Sequence, residues 1–282
     1  MPAGRLSRER IVLPAALAGV TALAWVYLII AARTMSTAGM PDTAASGAAM
    51  PGMAMSGTAM PGMAMPGMTL PAQWGVTGFA LIVAMWWVMM LGMMLPSATP
   101  MILLHATIAR RQRQSGRQFV PTAVFVAGYL LAWGAFSLAA SLLQWRLDQA
   151  GLLSLMMQAK GSAIGGALFL LAGVYQCTPF KSACLRHCRS PFAFLLNRWR
   201  DGWNGALAMG WQHGLYCLGC CWVLMLVLFS VGVMNLLWVA LLTGFVLAEK
   251  VLPRGVWVGR SAGLLMLGFG GYLLARAAGC VA

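Results

Sequence analysis

Runs of apolar residues long enough to cross a bilayer recur along this chain, and its positive charge is gathered into short segments between them. A helix needs about 20 such residues to span the hydrocarbon. The pattern predicts helices at about residues 11–32, 74–95, 120–143, 161–176, 207–232, 236–252 and 261–277. Only 9% of the 282 residues are charged, whereas soluble domains carry about 25%. With a mean hydropathy of +0.80, the chain reads as an all-α, polytopic membrane protein. Its net charge of +14 raises the question of nucleic acid. The placement of the charge answers it. Arg33, Arg146, Lys160 and Arg276 fall on one predicted side, leaving fifteen of the nineteen Lys and Arg on the other. Such an asymmetry puts the N-terminus in the cytoplasm, the C-terminus outside and the chain in the inner membrane, with lipid rather than nucleic acid as its surroundings. The first helix also resembles a signal peptide, but its apolar stretch is long for one and ends in Arg33.

Three regions follow from this layout: residues 1–33 as an N-terminal transmembrane helix, 34–73 as an external loop, and 74–282 as a six-helix membrane domain. The loop repeats Ala-Met-Pro-Gly-Met-Ala-Met at 49–55 and 59–65 and places nine Met between Met35 and Met68. Pro and Gly deny it a regular helix, and it has no aromatic residues with which to build a core. Exposed thioethers have one clear chemical use, as neutral ligands for a soft monovalent ion such as Cu(I). The competing reading is a repeat-expanded linker.

The central run, Gly210 to Val233, carries the densest set of metal-ligating residues. On a helix, Met209, His213, Cys217 and Cys220 fall within about 80° of one another, with Cys221 at the edge of that face and Met225 a turn further on. Thiolate, imidazole and thioether suit Cu(I), with zinc the other metal such ligands take. Lipid offers them no partner, so the stripe should face the interior. Cys and Met as plain core filler is the alternative. Two more groups extend the pattern. Met85, Met89 and Met93 form one i, i+4 row before Pro96, with Met90 and Met94 beside it, a packing surface or a ladder for a soft ion. Pro96 and Pro100 should break or kink that helix. The basic segment Gln176–Asn204, expected as a cytoplasmic loop, holds Cys184, His187 and Cys188. Cys184 and Cys188 share a face if Lys181–Cys188 is helical.

Only five residues are acidic, which argues against a carboxylate relay and against hard-cation sites. No Walker-type loop suggests nucleotide-driven pumping. The expectation is a non-enzymatic protein that captures, transfers or transports Cu(I). A C-x-x-C at Cys217–Cys220 keeps a thiol–disulfide redox carrier as the alternative. An assembly factor that delivers metal to a periplasmic or membrane metalloprotein is the third reading.

Three blocks resemble a known family: Met85–Ser97, Tyr175–Pro191, and His213–Trp222 with its continuation to Glu249-Lys250. Together they are similar to the prokaryotic proteins described as predicted metal-binding integral membrane proteins, over roughly residues 74 to 277. The resemblance implies metal binding and identifies neither the metal nor a direction of movement.

Overall fold

The computed structural model describes residues 3–38, 75–116, 120–152, 161–233 and 235–280. The Met-rich repeats at 49–65 and residues 153–160 lie outside the described residues. Among the described residues there are nine helices and no strand: α1 (Ala3–Ala38), α2 (Val76–Gln114), α3 (Thr122–Gln149), α4 (Ser162–Cys177), α5 (Pro179–Arg189), α6 (Pro191–Arg198), α7 (Gly202–Val231), α8 (Leu236–Val251) and α9 (Gly255–Ala277). The protein is an all-α polytopic membrane protein.

Among the described residues, five helices are long and apolar enough to span: residues Ile11–Thr34 of α1, and α2, α3, α7 and α9. α4 and α5, bent by 65° between Cys177 and Pro179, make a sixth if the pair crosses as one broken span. α8, expected as a full span, is a helix of 16 residues, about 24 Å long. Five to six spans on length and composition therefore stand where about seven were expected. The large side chains left exposed are what lipid would cover: Leu131 and Leu138 on α3, Leu237 and Leu241 on α8, Leu264 and Leu265 on α9.

α2 corrects the expected break at Pro96. The helix runs through Pro96 and Pro100 to Gln114, 39 residues in all. Proline lacks the N–H that the carbonyl four residues earlier would accept. For Pro96 that carbonyl belongs to Gly92, and the indole Nε1 of Trp25 on α1 donates to it at 3.2 Å. A neighbouring helix supplies the missing donor, as the hydrocarbon region requires.

α7 is the axis of the bundle, and α3 packs along it. Contact is backbone to backbone: a Cβ at Gly210 would stand 1.9 Å from the Phe125 carbonyl oxygen, and one at Gly128 2.3 Å from that of Leu207. α4 and α9 meet in the same way at Gly166 and Gly270. At the start of α4, Gly165 and Gly166 are packing positions, while Gly161 precedes the helix with φ 92°. Between α2, α3 and α7 lies a core of Trp86, Met89, Met90, Met93, Met94, Phe125, Tyr129, Trp133 and Phe229, all buried.

The segment Gln176–Asn204, expected as a loop, is largely α5 and α6. Thr178 caps α5 by accepting from the Lys181 amide, with Pro179 in the first turn, where a missing N–H is harmless. α5 then lies against α7 rather than out in solvent.

Candidate metal centre

Each cysteine of the central stripe is buried as its helical spacing predicts. Cys217, Cys220 and Cys221 are all at most 1% exposed. Three other helices converge on the surroundings of Cys217. From α8, Lys250 Nζ donates to its Sγ at 3.0 Å and to Ser97 Oγ of α2 at 2.9 Å. From α3, the Tyr129 hydroxyl shares a hydrogen bond with the same sulfur at 3.3 Å and lies 3.3 Å from the Met94 carbonyl. From α5, Cys188 packs half-buried against the core that contains Cys217 and Cys220. Cys221 Sγ is 4.0 Å from the thioether of Met94. Three thiols of α7 thus lie buried together at its middle, with the Met94 thioether and one ammonium against them and Cys188 packed on the same core.

The thiols as they stand serve the backbone. Cys220 and Cys221 both donate to the Cys217 carbonyl, at 3.0 and 3.1 Å. Accordingly, no three His, Cys, Asp or Glu side chains among the described residues form a ready-made cage for an ion. Sulfur-rich sets of this kind suit a soft monovalent ion and are poor for hard cations.

The other expected ligands divide. Cys184 is buried, and α5 approaches α7 so closely that a Cβ at Gly219 would stand 2.8 Å from its Sγ. His213 is buried one turn before Cys217, ringed by Phe125, Tyr129 and Phe194, and its Nδ1 has no hydrogen-bond partner. Both methionine rows, Met85, Met89, Met93 and Met90, Met94, are buried, and Met94 is the member that reaches the thiols. His187 stands apart: its ring is exposed and stacks on Tyr216 at 4.2 Å. Cys177 and Cys280 are exposed.

Sequence reasoning passed over Tyr129, Ser97 and Lys250 as neighbours of the thiols. Lys250 had a signal, a lone cation ending an apolar run where snorkelling alone would explain it. A second polar feature was equally unforeseen. Lys181 of α5 donates to Glu249 of α8 and to the Gln176 side chain of α4, and all three are buried.

The family pattern described as copper chaperone matches residues 83–273, more than half of the chain and the stretch that contains every one of these contacts. No curated protein and no solved structure matches.

Proposed function

Because the chain belongs to the PpoB2 copper-chaperone family, we propose that it is a membrane protein that receives Cu(I) in its bundle and hands it on. The carrying observation is the burial of Cys217, Cys220 and Cys221 together on α7, with Met94 at Cys221, the Lys250 ammonium at Cys217 and Cys188 packed against the same core. Charge balance supports it. Cu(I) with two thiolates carries one negative charge, and Lys250 cancels it. A neutral assembly is what a low-dielectric interior tolerates.

In this reading Cys217 and Cys220 are the resident thiolates. Cys188 and Met94 are exchanging ligands, and His213 offers a neutral one a turn away. Binding releases the two thiol protons, so affinity rises with pH. Because more sulfurs surround the ion than it needs, it can move by ligand exchange instead of full dissociation. Met90, Met93, Met89 and Met85 line the way from the other end of α2. The Met-rich segment captures the ion outside, with the N-terminus in the cytoplasm. Cys184 and Cys188 lie on the receiving side. The product is delivery to a periplasmic or membrane metalloprotein, with no chemical conversion of a substrate.

Metal analysis of the purified protein tests this, anaerobic and with reductant. Wild type should hold copper, and Cys217→Ser/Cys220→Ser should lose it. A metal-free wild type with a reversible Cys217–Cys220 disulfide would replace the copper reading with redox exchange.

A further inference from the structure

A lysine and a glutamate buried together inside a helical bundle have to be explained, because such a pair is costly to desolvate and rarely outperforms apolar side chains of the same size. Lys181 and Glu249 are 2% and 1% exposed. They pack so closely that a Cβ at Gly259 would stand 2.4 Å from Glu249 Oε1 and 3.4 Å from Lys181 Nζ. What a buried pair of this kind can contribute is register: it is satisfied in one arrangement of its two helices and leaves a buried charge in any other.

The two helices are α5 and α8, and each carries a member of the thiol cluster beside its member of the pair. On α8, Glu249 precedes Lys250, whose Nζ meets Cys217. On α5, Lys181 opens a helix on which Cys184 and Cys188 follow at i+3 and i+7, one face. At its far end the next residue after Cys188, Arg189, donates to the carbonyls of Leu252 and Pro253 at 2.6 and 2.7 Å, just past the end of α8. α5 is thus pinned to α8 at both ends, with the cysteines between the pins. Its own composition would not hold it. Leu185 and Cys184 are the apolar side chains it buries outright, while Phe180, Arg186 and His187 are exposed.

We infer that the Lys181–Glu249 pair, with Gln176, is a positioning device that sets α5 in register on α8 so that Cys188 is delivered to Cys217 and Cys220 on the same frame that delivers Lys250. The inference rests on the copper reading for its purpose, and on the contacts of α5 with α8, with Gly219 of α7 and with the thiol-bearing core for its placement. It assigns the pair a role distinct from stability: two helices of the bundle are locked so that the third thiol and the compensating cation arrive together.

Two readouts on the full-length protein in membranes test it. The first is oxidative crosslinking of Cys188 to Cys220, with Cys177, Cys184, Cys217, Cys221 and Cys280 replaced by Ser. The second is Cu(I) affinity in the protein with all its cysteines. Three forms are compared: wild type at the pair, Lys181→Met/Glu249→Leu, and the swap Lys181→Glu/Glu249→Lys. The apolar double variant buries no charge, so it should fold and retain its thermal stability. It should crosslink about tenfold more slowly because the thiols lose their alignment. Its Cu(I) affinity should fall by about tenfold or more, as for loss of an outer partner. The swap should restore part of both. Crosslinking and affinity within about twofold of wild type in the apolar variant would reduce the pair to packing. Failure of wild type itself to crosslink would remove Cys188 from the cluster and overturn the inference. Loss of crosslinking in the apolar variant, with no copper bound even by wild type, would leave the positioning device standing and discard the copper reading.

Discussion

Lys250 is the residue on which the electrostatics of the centre turn. It alone of the described residues brings a positive charge into contact with a cluster thiol, at 3.0 Å from Cys217. Lys250→Met preserves length and apolar bulk and removes the ammonium. We expect Cu(I) affinity to drop about 10- to 100-fold, as for loss of an outer-shell partner. Competition against a chromophoric Cu(I) chelator measures it, and an unchanged affinity would dissociate Lys250 from the metal. The buried face of α7 was legible in the sequence because helical spacing alone gathers His213, Cys217 and Cys220 on it. Lys250 and Tyr129 were not, since they reach Cys217 from helices far away in the chain, and no local periodicity reports a tertiary contact. His187 was misleading for the opposite reason: it neighbours Cys188 in sequence, yet one step along a helix turns a side chain about 100° away.

At the scale of elements, the positions that matter most have no side chain. Gly210 lets α3 lie on α7, and a methyl group there would meet the Phe125 carbonyl at 1.9 Å. Gly210→Ala should therefore force α3 and α7 apart. The protein should lose several kcal/mol of stability, about the upper range for single substitutions, and lose the Tyr129–Cys217 contact with it. Gly244→Ala is the control, since nothing lies within 4 Å of a Cβ at that position. Thermal unfolding in detergent separates them, and equal midpoints would contradict the packing. Trp25→Phe should cost about 1 kcal/mol by removing the donor to the Gly92 carbonyl, which the same assay reads. Apolar periodicity reveals helices reliably, so every expected span appears as a helix. It failed at Pro96 because the remedy for a missing N–H came from another helix. It failed again at α5, whose polar sequence reads as a loop until the burial of Lys181 against Glu249 is known.

For the whole molecule, the layout and the copper reading make a joint prediction. A tag inserted within residues 40–70 should be labelled from outside the cell, and one within 110–118 only after the membrane is opened. The reverse result would invert the proposed direction of copper movement. Deleting residues 45–70 should shift the copper concentration at which function is half-maximal, because nine redundant thioethers can only concentrate the ion. Cys217→Ser should abolish function at every concentration. A copper-accumulation assay at matched expression distinguishes a collecting segment from an essential centre, and full activity in Cys217→Ser would make the thiol face mere packing. The most direct test of the centre is X-ray absorption at the copper edge on the anaerobically loaded, full-length protein. We expect a first shell of sulfur alone that loses a sulfur scatterer in Cys217→Ser. A shell dominated by nitrogen or oxygen, or one that is the same in that variant, would contradict it.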